Sequence, residues 1–416
     1  MEQGRATCAH RTEPSRQSRH ANPLGRYRAE ASPRRMAPIE PNGRRSEMSD
    51  DPMVRSDPKN DGRGIMRGGY LLHQDRPMDE ARWREECFPE WGTYLNRQIA
   101  VTQVEKGQVN LWWFGGGSFC LKTSGGSVFL IDNYAGPAHY TEYEDCGVCR
   151  TSGSPTINWM RLYPQVVNPW RFAHVDYCLC THQHADHCDI YTLKALTQTS
   201  ACRFVGPLSA VERMRHFGVP DERIDLVRPG QTVRAKDIEI EITSNFDVIA
   251  TYTGVKEPGR RRPFGEAAVG FLFKTEGGNI LFLGDTLYHN GYVMLGKKYD
   301  IDLAIFNIGN NAPGAKDKPT PYDAYMILEA LGAKRFIPFH WETWGNVASD
   351  PSEVEWVLAK RNPAMKAIIL QPGAMLVYPR DRDIGRYKYP DFREWYRPEY
   401  SWEYGQPARD AGLIDY

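Results

Sequence analysis

No stretch of this chain approaches the ~18 consecutive apolar residues of a membrane-spanning helix, and its start lacks the apolar core of a secretory signal. An excess of one charge is missing too. Lys plus Arg and Asp plus Glu each number 52, so no global field draws the chain to nucleic acid or to an acidic membrane. The nine cysteines are odd in number and spread over 416 residues, which does not read as a secreted disulfide framework. These absences point to a reduced, cytoplasmic setting with neither a nucleic-acid nor a membrane partner. Residues 1–50 hold ten arginines and no lysine, with much Pro, Ser and Gly and little aliphatic periodicity. Such a composition cannot bury enough apolar surface to offset its ordering entropy. Residues 1–78 therefore read as a disordered Arg-rich extension, with Met48, Met53 and Met66 as later starts, and residues 79–416 as the folded domain.

What the chain does have, from about residue 79, is 41% hydrophobic content overall arranged in short β-rich runs. These are Asn110–Phe114, Val128–Asp132, Asp176–Cys180, Ile238–Thr243, Val269–Lys274, Asn279–Gly284, Leu303–Ile308, Arg335–Phe339 and Ala367–Leu370. Helix-like stretches lie between them at Tyr191–Thr199, Leu208–Phe217, Pro321–Leu331 and Pro351–Lys360. The last two carry start signals, Thr320 before Pro321 and Asp350 before Pro351. Strands come first in hairpin-like pairs and then alternate with helices in both halves. That suits two face-to-face sheets with helices outside, although periodicity alone does not select it over other α/β layouts.

The most informative segment is Thr181-His182-Gln183-His184-Ala185-Asp186-His187, directly after the strand-like Val175–Cys180. Imidazole and carboxylate are the ligands preferred by borderline and hard divalent cations. An H-x-H-x-D-H string leaving a strand resembles the signature of the metallo-β-lactamase superfamily. The resemblance implies an α/β fold of four layers, an αββα sandwich. It also implies a bridging Asp and a terminal His, each just after a strand. Asp285 follows Asn279–Gly284 and His340 follows Phe336–Phe339, in the expected chain order. One ligand departs from the pattern. A third His would follow Ile238–Thr243, yet His216 is the only His between His187 and Asp285, and it lies in a helix-like stretch. Asp247 stands near the missing position and is taken as its replacement. The resulting set is His182, His184 and Asp247 on one metal, Asp186, His187 and His340 on the other, and Asp285 bridging. A carboxylate in place of an imidazole makes the site harder and favours Mn²⁺, with Zn²⁺ the alternative, in one or two divalent ions.

Flanking text narrows the resemblance. Phe88-Pro89-Glu90-Trp91-Gly92, Trp112-Trp113-Phe114-Gly115, Gly218-Val219-Pro220, Gly284-Asp285-Thr286, Asp317-Lys318 and Ile337-Pro338-Phe339-His340-Trp341 occur in that order. Together they resemble the L-ascorbate-6-phosphate lactonase (UlaG-type) family over roughly residues 84–392. The family implies a cytoplasmic Mn²⁺-dependent hydrolase, oligomeric, that opens the lactone of L-ascorbate 6-phosphate by attack of hydroxide formed at the metals. Asp186 and Asp285 are then catalytic as well as liganding, and His289 and Tyr288 are placed to assist the leaving group or substrate. A sugar phosphate also needs cationic partners; Lys318, Lys316 and Arg260-Arg261-Arg262 are the candidates. The Asp132–Trp170 segment, with Cys146 and Cys149, should line the entrance, and its C-x-x-C lacks the second pair of a structural zinc site. Three other readings compete: a phosphodiesterase or other ester hydrolase on the same centre, a redox di-iron protein, and a non-catalytic binding module.

Overall fold

Strand alternation and aromatic packing explain the architecture of this computed structural model, which describes residues 65–66, 70–71, 92–136, 161–253, 260–311, 316–345 and 347–387. The chain divides into two units, Met1–Leu72 and His73–Tyr416. In the first, the described residues are two short antiparallel strands, β1 (Ile65–Met66) and β2 (Tyr70–Leu71). The rest of the expected N-terminal extension, Phe88–Trp91, Cys146 and Cys149 lie outside the described residues.

The second unit holds two seven-stranded sheets. One contains, in chain order, β3 (Val109–Gly115), β4 (Ser118–Thr123), β5 (Val128–Ile131), β6 (Tyr177–Leu179), β7 (Arg203–Gly206), β8 (Ile224–Leu226) and, closing its far edge, β16 (Met375–Tyr378). The other contains β9 (Thr232–Arg234), β10 (Glu239–Ser244), β11 (Val269–Thr275), β12 (Gly278–Gly284), β13 (Leu303–Asn307), β14 (Arg335–Phe339) and β15 (Lys366–Ala367). Each sheet starts as an antiparallel meander and continues as parallel strands. Parallel neighbours need crossovers, and here helices supply several of them.

Because successive side chains point to opposite faces, each central strand feeds two cores. Leu111, Trp113, Phe119, Phe129 and Ile131 of the first sheet share a buried cluster with Ile240, Phe271, Phe273, Phe282, Ile305 and Phe339 of the second. Phe119 meets Phe282 edge-on at 5.5 Å, and Phe129 meets Phe273 in the same way at 5.5 Å. The alternate residues Trp112, Cys120, Leu130 and Phe204 pack outward on α1 (Tyr94–Val101), α2 (Ile190–Thr199) and α3 (Leu208–His216). Leu281, Ala304, Phe306 and Phe336 pack on α5 (Gly291–Lys298), α6 (Pro321–Leu331) and α7 (Ser352–Arg361); the short α4 (Phe264–Ala267) precedes β11. The result is the expected four-layer αββα sandwich.

Local chemistry fixes several boundaries. Thr320 caps α6 in a reciprocal box with Asp323, Pro321 stands at its first turn, and Gly332 ends it at φ 71°. That is the sequence of cap, Pro and left-handed Gly that starts and stops a helix cleanly. At α7 the Asp350 carboxylate accepts from Ser352 N (2.9 Å), one residue beyond the expected start. No described helix is long and apolar enough to cross a membrane.

The topology also collects strand ends. β10 and β12 each run antiparallel to β11, and β12, β13 and β14 run parallel, so the C-terminal ends of β10, β12 and β14 share one edge. The loop after β6 joins them there, where Val269 N donates to Thr181 O across the two sheets (3.0 Å).

Candidate metal centre

Four strand ends at this edge bring seven side chains together. The loop after β6 carries His182, His184, Asp186 and His187; the ends of β10, β12 and β14 carry Asp247, Asp285 and His340. His182 Nε2 lies 2.8 Å from His184 Nδ1 and 3.6 Å from Asp247 Oδ2, giving one triad. Asp186 Oδ2 lies 3.1 Å from His340 Nε2 and 3.8 Å from His187 Nε2, giving a second. Asp285 sits beside the second triad, with Oδ1 3.5 Å from His187 Nε2 and Oδ2 3.6 Å from His340 Nε2.

Neighbouring residues decide which atom each imidazole presents. Asp132, at the end of β5, accepts from Thr181 N (2.7 Å), from the Thr181 hydroxyl (2.6 Å) and from His187 Nδ1 (2.7 Å). His187 Nδ1 thus donates to Asp132, which aims Nε2 at the cluster. The Thr181 hydroxyl has one proton, already given to Asp132, so at 3.0 Å it accepts from His182 Nδ1. Thr253 Oγ1 donates to Ile249 O and takes Gln183 Nε2, so it also accepts from His184 Nε2 at 2.8 Å. His182 Nε2 and His184 Nδ1 therefore face each other with two lone pairs and no proton. Such outer partners are what orient metal-ligating imidazoles.

The backbone is shaped to match. Asp132 and His340 are the described non-glycine residues at positive φ, 45° and 72°, a conformation that costs roughly 1–3 kcal/mol and persists only where surroundings enforce it. A side chain at Gly117 would put its Cβ 2.7 Å from His187 Cε1, and one at Gly284 would collide with Thr181 Oγ1. Asn245 ties β10 to β12 by donating to Leu283 O and Asp285 O while accepting from Asp247 N (2.9 Å). Ala250 N occupies Asp247 Oδ1 (2.9 Å), leaving Oδ2 for the cluster.

This donor set fits divalent cations. His187 Nε2, Asp247 Oδ2 and Asp285 Oδ1 are buried with no hydrogen-bond partner, and an unsatisfied buried acceptor costs about 1–3 kcal/mol. Burial, with Asp317 and Asp285 nearby, pushes the Asp247 carboxyl up to about 8. Burial would raise Asp285 as well, but Lys318, His340 and His187 outweigh it and bring it down to about 2. Burial lowers His184 to about 4 and lowers His182 strongly. For His187 burial is outweighed by Asp186, Asp285 and Asp132, which raise it to about 10. The proton-poor imidazoles of His182 and His184 and the clustered carboxylates suit a cation, which would displace the second proton of His187.

The family comparisons agree with this geometry. A family model described as Beta-lactamase superfamily domain matches residues 153–341. A protein of Escherichia fergusonii named "Probable L-ascorbate-6-phosphate lactonase UlaG" is 35% identical over 327 residues, 74% of this chain and 92% of its own length. A protein of the same name from Escherichia coli O127:H6 is 35% identical over 328 residues, with the same coverage of each chain. The chain belongs to the UlaG-type lactonase family of the metallo-β-lactamase superfamily. A solved isothiocyanate hydrolase from Delia radicum gut bacteria shares the fold, with a TM-score of 0.50 at 17% identity over 64% of this chain and 98% of that one.

The structure brings together all seven residues read as ligands from the sequence. Of the others, Lys318 alone is seen to touch a ligand, Asp285. His289 is exposed, stacked on Phe246 at 4.0 Å, and its Nδ1 accepts from Gly291 N. Tyr288 donates to Asn290 Oδ1 (3.2 Å). None of these contacts reaches the cluster, so the leaving-group role is withdrawn for both. His216 is exposed against Phe217. Lys316 pairs with Asp323 at 3.6 Å and Arg262 with Glu212 at 2.6 Å, while Arg261 lies over the ring of Tyr252. Lys318, expected at a substrate phosphate, is buried on Asp285 and Asp317. Asp132, Asn245 and Thr253 carried no site role in the sequence. Only Asp132 had a signal, an acid ending the apolar run Val128–Ile131.

Proposed function

We propose that this metallo-β-lactamase-fold hydrolase is a lactonase acting on an anionic sugar lactone, with L-ascorbate 6-phosphate the first compound to test. The observation that carries the reading is the pair of ligand triads with Asp285 beside them, with His182, His184 and His187 each turned inward by a partner on the outer nitrogen. Divalent cations held by His182, His184 and Asp247 and by Asp186, His187 and His340, with Asp285 shared, would supply Lewis acidity toward the carbonyl and bring the pKa of a water near neutrality. Three carboxylates among seven donors favour Mn²⁺ over Zn²⁺.

The chain's own residues do the rest. Asp132, Thr181 and Thr253 keep the protons of three imidazoles on their outer nitrogens. Asp186 Oδ2, shared with His340 at 3.1 Å, is an acceptor for the attacking water's proton. Arg261 supplies a positive charge at Tyr252, whose hydroxyl already feels Asp317 and Asp247; it is the guanidinium we assign to the substrate's anionic group. The 35% identity over 92% of the UlaG relative supports the lactone class.

The test is hydrolysis by the Mn²⁺-loaded full chain of a panel holding L-ascorbate 6-phosphate, unphosphorylated lactones and phosphodiesters, with Asp285→Ala as the blank. Lactone turnover that disappears in the blank is the expected result. Turnover confined to phosphodiesters would replace lactonase by phosphodiesterase.

A further inference from the structure

Lys318 is the only lysine among the described residues that is fully buried, at 3% exposure. An ammonium has three donors. One reaches Asp285 Oδ2, and the charge is also ion-paired with Asp317 Oδ2 at 2.9 Å, so both partners are carboxylates of the protein. The backbone that carries Lys318 is also fixed. Asn311 Oδ1 accepts from Asp317 N (2.6 Å) and Lys318 N (2.8 Å), and Asn311 Nδ2 donates to Lys318 O (3.1 Å). A single side-chain amide thus clamps the dipeptide from both sides.

A phosphate reader needs an ammonium with donors to spare and a path to solvent. Lys318 lacks the path, being buried inside a cluster of acids, and its charge is already paired with Asp285 and Asp317. We infer that Lys318 is a positioning residue acting through Asp285, and not a contact for the substrate's anionic group. Its ammonium fixes Asp285 Oδ2, which lies 3.6 Å from His340 Nε2, so that Oδ1, which lacks a hydrogen-bond partner, is turned toward His187 Nε2 at 3.5 Å. It also counts in the charge balance, since its ion pairs place a fixed positive charge beside Asp285 and Asp317. A monovalent charge that never leaves keeps Asp285 in one rotamer before any divalent ion arrives. Without it, the carboxylate could turn either oxygen to either neighbour.

The kinetic part of the test rests on the lactonase reading; the spectroscopic part does not. Lys318→Met keeps length and removes charge, Lys318→Arg keeps charge, and Asn311→Ala leaves the ammonium but removes its clamp. Each is compared with wild type by the visible absorption of the Co²⁺-loaded protein and by kcat and KM on a phosphorylated lactone and its unphosphorylated counterpart. Lys318→Met should change the Co²⁺ spectrum and lower kcat by about 10- to 100-fold on both substrates, as outer partners of metal ligands do, with the ratio of the two KM values unchanged. Lys318→Arg should recover part of the loss. An unchanged Co²⁺ spectrum, or a KM rise confined to the phosphorylated substrate, would overturn the inference. If Lys318→Met shows no cooperative melting, Asn311→Ala decides by the same criteria. If wild type turns over no lactone, the spectrum alone decides the inference while the lactonase reading falls separately.

Discussion

Replacing Asp132 by asparagine separates the orientation of a ligand from every other change at the site. Asparagine has the same shape and adopts the left-handed region at least as readily, so the φ of 45° adds no new strain. Its carbonyl can still accept from Thr181 N, where Asp132 Oδ1 now accepts at 2.7 Å. The difference is at Oδ2, which becomes an NH2 group facing two donors, the Thr181 hydroxyl and His187 Nδ1–H. To relieve the clash, His187 must move its proton to Nε2, the atom that faces Asp186 and Asp285. Bonds to a buried charged acceptor contribute about 1.5–3 kcal/mol each, so a few kcal/mol of stability should go with the two. The loss in metal affinity should be about 10- to 100-fold, or roughly 1.4–2.8 kcal/mol, at the triad containing His187. The triad of His182, His184 and Asp247 should change much less. Calorimetric titration of Mn²⁺ into ion-free wild type and variant reads the two classes of site. A variant that melts earlier but binds Mn²⁺ as tightly as wild type would refute the reasoning, because Asp132 would then serve the fold and not the ligand.

Two further outcomes follow from the charges at the centre. Arg261→Ala should raise KM for the phosphorylated lactone about three- to tenfold and leave the unphosphorylated one unchanged, as expected for one exposed ionic contact; equal effects on both substrates would take Arg261 out of recognition. Adding Mn²⁺ at about a hundred times its Kd should stabilise the ion-free protein by about 2.7 kcal/mol, and a melting temperature insensitive to Mn²⁺ and to chelator would argue that the buried, unpartnered acceptors are not cation ligands.

Much of this was legible in the sequence, for identifiable reasons. The ligands from the β6 loop are neighbours in the chain, so His182 to His187 announce themselves. Asp285 and His340 follow apolar strands and could be placed by order. Strands with an evident apolar run were found within a residue or two, and α6, with its cap, Pro and Gly332, was found at its observed ends. β4 was missed because Ser118–Thr123 is almost wholly buried and shows no alternation. α5 was missed because its sequence holds Gly291 and Gly296. A side chain at Gly296 would meet the backbone of Ala330 and Leu331, so packing against α6 overrides helix propensity there. The expected strand Ala367–Leu370 begins one residue earlier, pairs with β14 through Lys366 and Ala367, and continues only as an isolated bridge from Ile369 to Arg386. Asn245, Thr253 and Asn311 were invisible as site residues, since their roles are hydrogen bonds made by the fold. Lys318 was visible, but its carboxylate partners were not: nothing in a sequence tells that this ammonium is paired with Asp285 and Asp317.

Because each triad draws on separate strand ends, the centre depends on how the two sheets sit against each other, and that makes core substitutions unequal. Phe282 lies between the sheets, edge-on to Phe119 at 5.5 Å and stacked on Phe339 at 5.7 Å. Phe339 leads directly to His340, and Phe282 stands three residues before Asp285. Leu328 is as deeply buried, but in the outer layer on α6, where its cluster holds no ligand. Phe282→Ala and Leu328→Ala should cost comparable stability, about 3–5 and 2–5 kcal/mol. Only the first opens space beside two ligand-bearing strand ends, and the surrounding side chains relax into such space incompletely. Phe282→Ala should therefore weaken Mn²⁺ binding well beyond Leu328→Ala when the two are compared at temperatures where both are folded. Equal Mn²⁺ affinities would mean that the ligand loops hold their own geometry through Asp132, Asn245 and the Thr181–Val269 bridge, independent of the aromatic packing beneath them.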